Sequence, residues 1–186
     1  MATASVRPAT LADVPDIARI QRETWQLAYA DLLADQAWHA VDQDSAEQAW
    51  QQAVVGPAHV LVALEGAWTV GFCVAGSPAP DSEIASADGS LPADAAQVGL
   101  IASLLVEPRW GRRGHGGRLF AAAAEALRAD GATRGVVWVP EADQASRAFF
   151  GVVDWHPDGV VRTLDAAGRP LREVRLTGGL IPEMTG

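Results

Sequence analysis

The chain has no lysine, one cysteine, one tyrosine and two methionines in 186 residues. Without lysine, a phosphate loop of the Gly-Lys-Ser/Thr type cannot be built. The lone Cys73 cannot form a disulfide within the chain, which fits a reducing compartment, and a cytoplasmic location is expected. With no basic neighbour in sequence, Cys73 reads as a packed thiol and not a nucleophile. The four histidines (His39, His59, His115, His156) are scattered without metal-ligand spacing, so no metal is expected. No apolar run approaches about 18 residues, and the first residues lack a basic-then-apolar leader pattern. Neither a membrane span nor a secretory signal is expected. Arginine is absent from Glu23 to Glu107. A nucleic-acid binder needs a basic stripe, so no nucleic-acid partner is expected.

What is present is ordinary for a folded domain: 49% hydrophobic and 20% charged residues, with a net charge of −9. The length fits one domain over residues 1–186 with a substantial core. The charge is uneven. Residues 1–106 hold 3 arginines against 13 carboxylates, and residues 107–186 hold 11 against 10. Such a surface suits a molecule that joins an anionic cofactor to a cationic acceptor, and it suits equally a merely soluble acidic surface.

Periodicity predicts alternating strands and helices. Ser5 to Arg7 reads as a strand, and Thr10-x-x-Asp13 caps a helix running to about Trp25. A second helix is expected over Asp35 to Ala53, with Trp38 and Trp50 on its buried side. A hairpin over His59 to Leu64 and Trp68 to Val74 follows. Residues 76–95, rich in Ser, Pro, Asp, Ala and Gly, read as a long mobile loop. A buried strand over Val98 to Val106, a helix over Gly114 to Asp130 and a strand over Gly135 to Val139 come next. A helix over Asp143 to Val152 and strands over Trp155 to Thr163 and Leu171 to Leu176 close the chain.

The most informative stretch is Arg109-Trp110-Gly111-Arg112-Arg113-Gly114-His115-Gly116-Gly117-Arg118. It lies between an apolar strand and a helix, where free N–H groups and the helix dipole both favour an anion. The glycines admit a phosphate close to the backbone, and the arginines add charge-assisted hydrogen bonds. A glycine-rich turn with solvated arginines is the plain alternative.

This arrangement resembles the cofactor-binding motif of the GNAT family of N-acetyltransferases, written Gln/Arg-x-x-Gly-x-Gly/Ala. Gly114-His115-Gly116 matches its glycine core, and Leu104 to Pro108 matches its strand-then-proline lead-in. Val6 to Asp13 is similar to the family's opening strand and helix cap. Asp143 to Phe150 and Asp154 to Gly159 are similar to its closing helix and strand. The resemblance implies an α/β fold, a mixed and largely antiparallel sheet flanked by helices. It implies transfer of acetyl from acetyl-CoA, as cosubstrate, to a primary amine of a small, cationic acceptor.

The resemblance places the cofactor against Leu104, Leu105 and Val106, the loop Arg112, Arg113, Gly114, His115, Gly116, Gly117 and Arg118, and Asp143, Ser146 and Phe150. Of His115 it implies the backbone N–H, not the ring. The chain also departs from the pattern. Gly111 occupies the first motif position, Leu100 a position where many relatives carry glutamate, Phe150 one where many carry tyrosine, and Asp143 that of an asparagine. Tyr29, Ser146 and Glu23 are therefore the catalytic candidates, each weighed against a plain structural role. Trp25, Trp38 and Trp50 are candidates for an aromatic wall around an amine. The missing acid and base support an alternative reading, an acyl-CoA-binding sensor or partner module with weak or lost catalysis. A small-molecule acceptor is the expected partner, and a homodimer stays open.

Overall fold

The computed structural model describes residues 3–28, 43–166 and 168–181. Tyr29 and Trp38, and the expected helix over residues 35–42, lie outside the described residues. Seven strands form one sheet: β1 Ala4–Pro8, β2 His59–Glu65, β3 Trp68–Gly76, β4 Val98–Val106, β5 Arg134–Pro140, β6 His156–Ala166 and β7 Arg169–Gly179. Their order is β1-β2-β3-β4-β5-β7-β6. Every pair is antiparallel except β4 with β5, which is parallel. The helices are α1 Val14–Ala28, α2 Gln43–Val55, α3 Asp81–Ile84, α4 His115–Ala129 and α5 Gln144–Val152.

Each face of the sheet has its own core, as strand alternation requires. On one face Ile17 and Ile20 of α1 meet Val60, Val62 and Phe72, all buried. On the other, the stripe Leu119, Phe120, Ala123, Ala124 and Leu127 of α4 packs on Leu61, Cys73, Ala75 and Ile101. The apolar spacing of α4 is that of a helix with one buried face. Phe120, Phe150 and Trp155 close this core edge-to-face and stacked, with ring centroids 5.4–6.3 Å apart. Gly135 and Gly178 make room for Trp155, because a Cβ at either would collide with the indole.

Residues 76–95 differ from the loop expected. Ile84 of α3 is buried with Ala79 against Val98 and Val136. Arginines stitch the segment to the strands beside it: Arg162 Nη1 lies 2.9 Å from Glu83 Oε2, and Arg175 Nη1 donates to Ala85 O at 2.8 Å. Asp94 accepts two bonds from Arg134, at 2.6 and 2.9 Å. Few apolar residues are needed when a short helix plugs one end of a sheet, and a composition rule misses them. No described helix is long and apolar enough to cross a membrane.

Candidate active site

The parallel pairing of β4 with β5 stops early. It runs from Val98 opposite Arg134 to Ile101 opposite Val137, and goes no further. On its other side β4 stays paired with β3 as far as Val106 opposite Gly71. Residues 102–106 therefore keep one edge of backbone N–H and C=O groups with no strand partner. Such groups must be satisfied by something, and an extended ligand with amides is one solution. A cavity of about 380 Å³ occupies this opening. Ala102, Ser103, Leu104 and Leu105 line one side, and Val137, Trp138, Val139 and Pro140 the other. Ser146 and Phe150 of α5 reach it from one face of the sheet, and Trp25 of α1 from the other. The cavity thus passes through the sheet.

The glycine-arginine loop joins β4 to α4 through a short 3-10 turn, Pro108–Trp110. Arg112 and Gly114 have φ of 59° and 81°, left-handed values that turn the chain sharply into the helix. The first bond into α4 is from Arg118 N to Gly114 O, 3.1 Å. The N–H groups of His115, Gly116 and Gly117 precede it and have no intrahelical acceptor. Gly117 borders open space, since a Cβ there meets nothing within 4 Å, whereas one on Gly116 would press Phe149 at 3.2 Å. Arg112, Arg113 and Arg118 are exposed. Arg118 Nη1 donates to Arg113 O at 3.0 Å, and the Arg113 guanidinium stacks 4.8 Å from the Trp110 ring. The His115 ring is fully buried, with Nε2 2.9 Å from Glu65 Oε2 but out of line for a good hydrogen bond. Only its backbone is left for a ligand.

Ser146 and Asp143 stand together. Asp143 Oδ1 accepts from Ser146 N at 2.9 Å and Oδ2 accepts from Ser146 Oγ at 2.7 Å, capping α5. Phe150 is 3% exposed and stacks on Trp155, so it fills a wall and has no proton to give. Leu100 packs with Ala79, Ile84 and Val98. Glu23 is not part of the cavity wall; its Oε2 lies 3.2 Å from Arg19 Nη1 on its own helix. The tryptophans separate as well. Trp25 borders the cavity, but Trp50 packs edge-on against Phe72, its Nε1 donating to Gln21. Cys73 is fully buried, and burial pushes its thiol up to about 12, which agrees with a packed, unreactive group.

Two buried carboxylates depart from the sequence reading. Glu107, which directly follows the strand and precedes a proline, reads as a surface turn residue, but it is 5% exposed and bridges Arg19 of α1 and Arg109 of the loop. Glu173 of β7 lines the cavity and is bound by Arg162 Nε at 2.6 Å. Nothing in Leu171-Arg172-Glu173-Val174-Arg175-Leu176 marks Glu173: it shares a strand face with Arg175, a pattern that reads as a solvated face, yet both are buried.

The matched family model is Acetyltransferase (GNAT) family, over residues 15–151. The chain belongs to that family. No curated protein matches it in sequence. Among solved structures, PaiA N-acetyltransferase from Thermoplasma acidophilum, in complex with coenzyme A, has a TM-score of 0.67 at 12% identity, with 95% of this chain and 99% of that one covered. YncA from Salmonella typhimurium, with its cofactor acetyl-CoA, gives 0.68 at 20% identity, with 98% and 96% covered. Ribosomal-protein-alanine N-acetyltransferase from Brucella melitensis gives 0.70 at 20% identity, with 94% and 99% covered. These likenesses establish the fold: a mixed, mostly antiparallel seven-stranded sheet flanked by helices. Acetyl-CoA is the cosubstrate of the family.

Proposed function

We propose that this protein, as one domain in the cytoplasm, moves the acetyl group of acetyl-CoA to a primary amine of a small, cationic acceptor. The observation that carries the reading is the opening between β4 and β5, which leads to the exposed N-terminus of α4. The residues there fit the cosubstrate. The loop from Arg112 to Arg118 offers N–H groups and open space at Gly117 for a pyrophosphate, and its arginines add charge. The unpartnered edge at Leu104, Leu105 and Val106 offers backbone partners to pantetheine amides, with Ser146 and Phe150 bordering the cavity and Asp143 beside Ser146. When bound, acetyl-CoA supplies an activated acyl carbon. The chain's own part is to hold the amine beside that carbon and to aim fixed N–H dipoles at the charge that develops.

Ser146 stands at the cavity as a candidate donor to the departing sulfur, a role for which its hydroxyl proton has to turn away from Asp143. Tyr29 is the other candidate donor. Glu23, tied to Arg19, is left with a role at most in attracting a cation. A second reading, a sensor or partner module that binds acyl-CoA with little turnover, is favoured by Phe150 in the cavity wall and by Leu100, neither of which can move a proton. Release of CoA thiol from saturating acetyl-CoA across polyamines, aminoglycosides, amino acids and peptides separates the two. Amine-dependent release supports the enzyme. Silence with acetyl-CoA still bound supports the sensor.

A further inference from the structure

One wall of the cavity carries a buried carboxylate with an unused oxygen. Glu173 is 9% exposed, and its Oε2 accepts from Arg162 Nε at 2.6 Å. Among the described residues nothing donates to Oε1. Oε1 opens onto the cavity, where an incoming cation would meet a carboxylate already largely stripped of water.

The walls around it are apolar: Trp25, Leu105, Pro140, Leu164 and Leu171. Among the described residues, no arginine or histidine lines the cavity. Arg162, the nearest cation, is spent three ways: on Glu173, on Glu83 at 2.9 Å, and on the Trp138 ring, 4.2 Å from its centroid. Asp165, also at the rim, accepts from Gly168 N at 2.6 Å within the β6–β7 turn.

We infer that the acceptor is a primary amine carried on an apolar or aromatic body, and that Glu173 Oε1 receives its ammonium group, which gives up a proton to water before the free amine attacks the acetyl carbon and the thiolate leaves. This rests on the acetyltransferase reading above and narrows it. An amino acid would bring a carboxylate against Glu173 with no cation to meet it. A polyamine could set its second ammonium only against Asp165, at the rim and held in its own turn, and otherwise against leucine, proline and tryptophan. A single ammonium on a hydrocarbon frame satisfies the buried carboxylate and buries its body against the walls.

The test compares 2-phenylethylamine, spermidine and phenylalanine as acceptors for the wild type and for Glu173→Gln, with acetyl-CoA affinity and Tm measured for both. The wild type should prefer 2-phenylethylamine by at least about tenfold in kcat/KM, since the other two each bury an unpaired charge. Glu173→Gln should raise the KM for 2-phenylethylamine roughly ten- to a hundredfold, as loss of a charged hydrogen bond predicts, with kcat little changed. Competition by the neutral 2-phenylethanol should be the same in both proteins, a result that a general loosening of the site would not give. Preference for spermidine or phenylalanine, or an unchanged KM in the variant, overturns the inference while leaving the acetyltransferase intact. Should Glu173→Gln fail to fold, the wild-type preference alone decides. Absence of acetyl-CoA binding, or of release with any amine, removes the acetyltransferase reading and this inference with it.

Discussion

Asp13 is a small residue with three tasks. It accepts from Thr10 N at 2.8 Å, from Thr10 Oγ1 at 2.9 Å, and from both ends of the Arg7 guanidinium at 2.8 Å. The Arg7 hydrogen bonds are the main reason that its carboxyl is held down to about 2. A carboxyl lowered on folding stabilises the protein above its unfolded value, near 4, and that contribution is lost as pH falls towards 2. Asp13→Asn should therefore cost about 1–2 kcal/mol at pH 7, moderated by the exposure of Arg7. Urea midpoints taken from pH 7 down to pH 3 should show the gap narrowing, and a constant gap would sink the assignment. The cap itself was legible because Thr10 and Asp13 are three residues apart. Arg7 as partner was not, since nothing local specifies which cation reaches a buried carboxylate. Glu173 and Glu107 were hidden for the same reason.

Among the elements, α4 was readable almost to the residue, because a single apolar stripe and a glycine-rich start leave few alternatives. Its N-terminus also gives the sharpest mutational test. Gly117→Glu adds a carboxylate in open space beside the free N–H groups, without touching the core. Acetyl-CoA affinity should fall at least about tenfold through repulsion, with Tm preserved, by calorimetric titration. Unchanged affinity would remove the loop from the binding site. At the opposite extreme stands Gly178 in β7, packed against the Trp155 indole. Gly178→Ala should overpack the core and lower stability by about 1–3 kcal/mol, read by urea denaturation. The segment around α3 was misjudged because its order comes from arginines on distant strands, Arg134, Arg162 and Arg175.

For the whole molecule, the decisive feature is one parallel contact in an otherwise antiparallel sheet. That contact is short, so β4 and β5 part and leave a cavity that crosses the sheet. A ligand bound there touches both halves of the fold and stabilises only the folded state. Acetyl-CoA at a hundredfold excess over its Kd should add about 2.7 kcal/mol. For a chain of this length that raises Tm by about 5–10 °C. A thermal scan with and without the cosubstrate checks it, and no shift at that excess would mean that acetyl-CoA does not bind the folded protein in preference to the unfolded chain.

The sequence by itself determined the strand and helix order, the two-faced packing of the sheet, the absence of a P-loop and the anion-ready loop before α4. Each depends on residues close together in the chain, where periodicity and backbone preference act. The tertiary structure alone decided where β4 and β5 part, which of the candidate groups border the cavity, and that Glu173 is one of them. These follow from strand pairing, burial and ion pairing between residues far apart in the chain, such as Ala85 and Arg175, 90 positions apart. No local pattern encodes such pairings; they exist only once the sheet has assembled.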